Sequence, residues 1–142
     1  MKPYLLDVNV LVALLWRTHV HHHPARTWFG AKRAQGFRTC PLTQAGAIRI
    51  LSNPRYSRDW VAVSAASQAL DDLLNLREHV FWPDDLPVGA VISESGPLTG
   101  HQQITDAYLL ALAKAKGGIL ATFDRGVLAL RGAAKHAELI SA

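Results

Sequence analysis

Between Val8 and Arg58 the chain contains no aspartate and no glutamate. This absence excludes an acidic surface or a carboxylate site built from that stretch. One sign of charge over so many residues predicts a positive surface that attracts phosphate backbones. The alternative is a solvated face balanced by acids elsewhere, and charge alone does not decide between the two. The stretch carries eight basic residues: Arg17, Arg26, Lys32, Arg33, Arg38, Arg49, Arg55 and Arg58.

Cysteine and long apolar runs are also scarce. The single cysteine, Cys40, excludes an internal disulfide and is typical of a reducing cytoplasm, where we expect the protein to be located. Only Lys2 adds charge before the first apolar run, which Asp7 and Asn9 interrupt, so we expect neither a signal peptide nor a membrane span. Because 49% of the residues are apolar and no linker or repeat is present, residues 1–142 are expected to form one domain.

Short apolar runs alternate with segments of helical periodicity along the chain. This alternation predicts an α/β protein, an α/β/α sandwich around a central, mostly parallel sheet. A loop is expected at 94–105, and Thr43 is expected to cap the helix in which it lies. The strands are predicted at 4–6, 37–40, 79–83, 118–123 and 137–141, and the helices at 8–16, 24–35, 42–51, 61–76, 85–93, 106–117 and 127–130.

Three aspartates are predicted to meet at one edge of this sheet. Asp7 follows the first strand, Asp124 follows the strand "GILATF", and Asp106 opens the helix before that strand. Ligands of open α/β sheets bind beyond the carboxyl ends of the strands. Taken singly, Asp7 and Asp106 are equally well explained as helix N-caps and Asp124 as a turn residue. Taken together, three acids at the same edge favour a shared site.

Such a cluster favours a bound cation. Carboxylates about 6 Å apart repel by roughly 3 kcal/mol per pair at an effective dielectric of 20, so either protons or a cation must stabilise them. Oxygen ligands in an α/β crevice suit Mg²⁺ or Mn²⁺. Asn9 and Thr122 are polar neighbours that can orient the carboxylates, although helix tolerance and strand propensity explain them as well.

The stretches "LLDVNVLVALLW", "ITDAYLLALAKAKG" and "ILATFD" resemble the three acidic signatures of PIN-domain ribonucleases, and "PLTQAGAIRILSNP" and "HVFWPDD" are similar to segments of the VapC toxins. The resemblance runs nearly end to end. It implies a PIN-like fold and a Mg²⁺-dependent endoribonuclease that leaves a 5′-phosphate and a 3′-hydroxyl. It further implies a homodimer and a VapB-type antitoxin that holds the toxin inactive.

The sequence departs from the family pattern at one position. PIN domains usually carry a further acid in the helix that here contains Gln44. A neutral amide adds no charge to hold a cation, so a single metal ion is favoured over two. Asp84 or Asp85 can compensate, although capping the following helix explains either one.

Two other functions remain open at this point. One is a binding module with little chemistry, which the loss of an acid at Gln44 favours. The other is a phosphatase with Asp7 as nucleophile, although the second aspartate and the Gly-Thr pair of haloacid-dehalogenase-like enzymes are missing.

Several basic and aromatic residues offer weaker signals. Arg49 is expected to contact the RNA backbone, and His101 is a candidate for approaching the scissile phosphate or a base, with an exposed loop histidine as the alternative. The four tryptophans can stack on RNA bases, but their apolar neighbours favour packing in the core or an interface. His19, His21, His22 and His23 are interpreted as a surface loop in preference to a metal site.

Overall fold

A computed structural model describes residues 1–141 and contains a five-stranded sheet in the order β3-β2-β1-β4-β5. Neighbouring strands of this sheet pair in parallel, as the alternation of strands and helices predicts. The first strand along the chain lies at the centre, so it is hydrogen-bonded on both sides. The strands are β1 (Tyr4–Leu6), β2 (Phe37–Thr39), β3 (His79–Phe81), β4 (Ile119–Thr122) and β5 (Ala137–Leu139).

Helices cover both faces of the sheet. Leu5 and Leu120 point into a core shared with α5 and α6, whereas Leu6 and Ala121 point into a second core shared with α1, α3 and α4. Successive strand residues therefore serve opposite faces, which confirms the α/β/α sandwich and explains the continuous apolar runs. The helices are α1 (Val8–Leu15), α2 (His22–Lys32), α3 (Pro41–Leu51), α4 (Val63–Leu74), α5 (Val88–Ser95), α6 (Gln103–Ala115) and α7 (Ala133–His136), and short 3₁₀ turns occupy Arg33–Gln35 and Arg125–Ala129.

Several predicted boundaries are wrong. Helix α5 runs to Ser95 and α6 begins at Gln103, so the predicted loop at 94–105 is shorter than expected. Asp106 consequently lies within the first turn of α6 and does not open it. Thr43 is not a helix cap, because α3 begins at Pro41 and the Thr43 hydroxyl accepts a hydrogen bond from the backbone N–H of Cys40, the cap residue.

The N-terminal sides of α2 and α5 also differ from expectation. Helix α2 begins at His22, two residues before Pro24, and α5 begins after Pro87, so neither Asp84 nor Asp85 caps it. Helix α7 was not predicted, because its four residues are too few to show a helical period.

The longest helix of the described chain, α6, has 13 residues. Within residues 1–141, none of the helices combines the length and the apolar character that a bilayer crossing requires.

Candidate active site

Asp7 lies at the carboxyl end of the central strand, where the chain turns from β1 into α1. Its backbone N–H donates to the carbonyl oxygen of Ala121 in β4 at 3.0 Å. Its carboxylate accepts a hydrogen bond from the backbone N–H of Val8 at 2.7 Å, so Asp7 is the N-cap of α1. The residue is only 5% exposed. Asp7 is thus both a helix cap and a buried carboxylate at the sheet edge.

Thr122, the last residue of β4, connects two of the three acids. Its fully buried hydroxyl donates to Oδ2 of Asp7 at 2.7 Å. The Oγ1 atom of Thr122 in turn accepts a hydrogen bond from the backbone N–H of Asp124 at 3.0 Å. One hydroxyl therefore orients the Asp7 carboxylate and fixes the backbone that leads to Asp124.

Asp124 is exposed and caps the 3₁₀ turn that follows it. Its Oδ1 accepts a hydrogen bond from the backbone N–H of Gly126 at 2.8 Å. Asp124 can therefore cap this turn and also lie at the sheet edge, because the turn follows directly after the end of β4. The part of the carboxylate not used for capping is accessible to a ligand from solvent.

The three carboxylates are close enough to affect one another's ionisation. Burial, the charges of Asp7 and Asp124, and a hydrogen bond with Asp124 raise the pKa of Asp106 to about 6. Burial raises the pKa of Asp7 as well, and the charge of Asp124 adds to this, while the hydrogen bonds from Thr122 and Val8 oppose it. The fold thus brings Asp7 close to two acids, Asp106 and Asp124, that lie about a hundred residues further along the chain.

The chemistry of this cluster suits a hard divalent cation. Three carboxylates supply the oxygen ligands that Mg²⁺ and Mn²⁺ prefer. Burial first, and then the neighbouring carboxylate charges, raise the pKa of Asp7 and of Asp106, and a bound cation would favour their ionised forms. The ligand shell is not closed, however: among residues 1–141, no three His, Cys, Asp or Glu side chains converge tightly enough to hold an ion as they stand. Water and phosphate oxygens commonly complete a magnesium shell held by few carboxylates.

Gln44 is tied to the end of a neighbouring strand. Its amide nitrogen donates to the hydroxyl of Thr39 at 2.9 Å, and that buried hydroxyl also lies 2.8 Å from Nε2 of His79. Gln44 therefore stabilises the carboxyl end of β2 without adding charge to the site. Sequence reasoning missed Thr39, although a polar residue at the end of a predicted buried strand is the signal that also identifies Asp7 and Thr122.

The acids after β3 do not replace the charge missing at Gln44. The carboxylate of Asp85 pairs with the ammonium group of Lys116 at 3.2 Å. Asp84 lines a cavity together with Leu42 and Tyr108. Neither acid contributes to the raised pKa of Asp106.

The remaining residues considered from the sequence lie at the surface. Asn9 is exposed in the first turn of α1, Arg49 is exposed in the last turn of α3, and His101 is exposed in the turn before α6. These positions allow contact with a ligand but show no direct link to the carboxylates. They remain predictions.

The histidine segment is organised by local contacts. His22 Nδ1 lies 2.7 Å from the carbonyl oxygen of Ala13, and His19 Nδ1 accepts a hydrogen bond from the backbone N–H of His21 at 3.0 Å. The ring of His21 stacks on Phe123, with centroids 4.8 Å apart. The Nδ1 atoms of His19 and His22 are thus used in local hydrogen bonds, which fits a structural role for this segment.

Replacing Asp106 by asparagine is expected to stabilise the metal-free protein at pH 8. A carboxyl group whose pKa is raised on folding stabilises the folded state below its unfolded pKa, and that contribution is lost as pH rises through about 6. The neutral amide avoids this loss. Because Asp106 is partly exposed, we expect a gain of about 1–2 kcal/mol at pH 8.

Urea unfolding in EDTA at pH 5 and pH 8 measures this effect, with Asp71→Asn as the control at an exposed acid of α4. The gain should be smaller at pH 5, where Asp106 is mostly protonated. Equal gains at both pH values, or an equal gain for the control, would show that the ionised Asp106 carboxylate does not destabilise the folded state.

The parallel sheet with acids at its carboxyl edge is the architecture of a PIN domain, and residues 4–133 match the PIN domain family model. The chain belongs to this family. Among curated proteins it is 42% identical to Ribonuclease VapC38 of Mycobacterium tuberculosis over 127 residues, which are 89% of this chain and 88% of the relative.

Solved structures share the fold. PAE2754 from Pyrobaculum aerophilum has a TM-score of 0.62 and 25% identity, covering 98% of this chain and 90% of that one. VapBC2 from Rickettsia felis, solved bound to a DNA fragment from its promoter, has a TM-score of 0.59 and 13% identity, covering 85% and 87%.

Proposed function

We propose that this chain is a VapC-type toxin, an endoribonuclease that hydrolyses RNA phosphodiester bonds with the help of Mg²⁺ or Mn²⁺. The observation that carries the proposal is the set of three carboxylates at one sheet edge, with the hydroxyl of Thr122 joining the carboxylate of Asp7 to the backbone N–H of Asp124. The curated relative named as a ribonuclease supports the reaction, and the stretch without acids supports a polyanionic substrate.

Asp7, Asp106 and Asp124 would hold the cation together with water and phosphate oxygens, since among the described residues the acids do not enclose an ion by themselves. When bound, a divalent cation neutralises charge on the phosphate and lowers the pKa of water. Asp7 anchors the site because Thr122 and Val8 fix both of its oxygens. Asp106 or Asp124 would accept the proton of the attacking water; burial and the neighbouring carboxylate charges raise the pKa of Asp106 to about 6, which suits a proton acceptor near neutral pH. The products would carry a 5′-phosphate and a 3′-hydroxyl.

The partners follow from the same proposal. A VapB-type antitoxin would neutralise the toxin, as the relation to VapBC2 supports. We also infer a homodimer in solution, for which the exposed apolar residues Val61 and Val63 at the start of α4 are available. The single free cysteine, Cys40, is buried and fits a cytoplasmic location.

A binding module without chemistry is the second candidate, and the neutral Gln44 favours it, since its amide is tied to Thr39. The phosphatase is disfavoured by the burial of Asp7 and by the hydrogen bonds on both of its carboxylate oxygens, which leave a poor nucleophile.

The direct test is incubation of total cellular RNA with the purified, partner-free protein in Mg²⁺, Mn²⁺ or EDTA. We expect discrete fragments with 5′-phosphates in either metal and intact RNA in EDTA. Intact RNA in every lane, from protein with a cooperative unfolding transition, would reject the nuclease. RNA binding that persists in EDTA would then support the binding module.

A further inference from the structure

A cavity of about 410 Å³ lies beside the carboxylate edge, between the segment that links α1 to α2 and the segment that links α3 to α4. Its volume falls within the range of ligand pockets, roughly 300–1,000 Å³. We call it the α1–α3 cavity. Its walls include Asn9, Trp16, His19, Ile50, Tyr56 and Asp59.

A row of aromatic rings leads from the site to this cavity. Phe123, directly before Asp124, stacks face to face on His21 at an interplanar angle of 14°. The ring of His21 lies 5.6 Å from that of His19, which lies 5.9 Å from the ring of Trp16. Asn9 connects the two regions from the other side, because it lines the cavity two residues after Asp7. A strand bound at the carboxylates would therefore pass the mouth of the cavity.

The polar groups of the cavity favour a base over a phosphate. Asp59 forms part of the wall, and its Oδ2 accepts a hydrogen bond from the hydroxyl of Thr18 at 2.6 Å, which joins the two segments. A carboxylate repels a phosphate but accepts hydrogen bonds from base N–H groups. Trp16 also lines the cavity, but its indole N–H is buried, so the ring and not the N–H is what a ligand would meet.

The surroundings are suited to a nucleic acid backbone. Tyr56 is 64% exposed at the wall, which leaves its ring available for stacking. Three arginines of the same two segments are exposed: Arg17, Arg55 and Arg58. Aromatic platforms flanked by cationic side chains are typical of binding sites for unpaired bases.

We propose that the α1–α3 cavity binds one unpaired nucleobase of the RNA, close to the phosphate that is cut; this inference rests on the proposed function. The base stacks on the aromatic wall, and the flanking arginines contact its phosphates. Guanine is the preferred base, because it presents two adjacent N–H donors that match the Asp59 carboxylate.

Nuclear magnetic resonance of ¹⁵N-labelled protein in EDTA tests the cavity without any cleavage. The four tryptophans give four indole signals, and Trp16→Phe identifies the one from the cavity. We expect GMP to shift this signal and to bind at least about fivefold more tightly than AMP, CMP or UMP. Trp60→Phe makes the same chemical change at an exposed residue outside the cavity wall and should leave GMP binding unchanged.

Asp59→Asn is expected to remove the preference for GMP while the protein stays folded, since Asp59 is exposed. Two results would overturn the subsite: no shift of the Trp16 signal with about 10 mM of any nucleotide, or an equal shift with ribose 5-phosphate. If Asp59→Asn kept the preference for GMP, recognition of guanine by this carboxylate would be wrong.

The outcome is separable from that of the cleavage test. GMP binding by a protein that leaves RNA intact would support the subsite and reject the nuclease. Cleavage of RNA by a protein that binds none of the four nucleotides would reject the subsite alone.

Discussion

Asp7→Asn is expected to lower metal-dependent RNA cleavage by at least about a hundredfold while raising the stability of the metal-free protein. The amide removes one of three charges from the site. It keeps the size of the side chain; its carbonyl oxygen can still cap Val8, and its amide N–H can donate to the Thr122 hydroxyl, which accepts as well as donates. The loss of activity therefore cannot be explained by loss of α1, which Asp7 caps.

The gain in stability follows from the raised pKa of Asp7, which burial causes. A raised carboxyl pKa means that the folded state binds the proton more tightly, so stability declines as pH rises through that pKa. The neutral amide avoids this decline. Gel assays in Mg²⁺ and urea unfolding in EDTA at pH 8 measure the two effects, with Asp71→Asn as the control. An active Asp7→Asn variant would remove Asp7 from the site, and a destabilised one would refute the account of its burial.

Thr122→Val is expected to lower the free energy of unfolding by about 2–3 kcal/mol at pH 8 and cleavage by about ten- to a hundredfold. Valine fills the same space, so no cavity forms. It leaves Oδ2 of Asp7 and the backbone N–H of Asp124 without the hydroxyl that serves both. Removing one hydrogen bond from a buried carboxylate lowers the free energy of unfolding. It also removes the one hydroxyl that fixes both the Asp7 carboxylate and the backbone at Asp124.

Thr122→Ser is the matched control, because it keeps the hydroxyl and removes one methyl group. It should cost about 1 kcal/mol and retain most of the cleavage. The same gel and urea measurements compare the two variants. If serine proved as damaging as valine, packing of the methyl group would outweigh the hydrogen bonds, and the bridging role of Thr122 would be wrong.

The sheet was predictable from the sequence because parallel strands buried on both faces read as continuous apolar runs. β4 is the clearest case: Leu120 and Ala121 serve opposite cores, so neither needs to be polar. The convergence of Asp7, Asp106 and Asp124 was predictable for a related reason. Parallel strands place their carboxyl ends at one edge whatever their separation along the chain.

Other parts of the site were not predictable, because they depend on side-chain partners that pattern does not encode. Gln44 donates to Thr39, which in turn contacts His79, and nothing in the spacing of these residues signals that chain. The start of α6 at Gln103 was missed because "HQQIT" is polar and lacks a strong capping residue, whereas packing of the later apolar residues determines the helix.

The central place of β1 in the sheet has a consequence for biosynthesis. Its partner on one side is β4, and the Thr122 hydroxyl that holds Asp7 lies at the end of that strand, 115 positions further along the chain than the aspartate. A nascent chain that extends only to residue 100 contains one of the three acids. The carboxylate cluster, with its repulsion and its chemistry, therefore forms only after Asp124 has been synthesised.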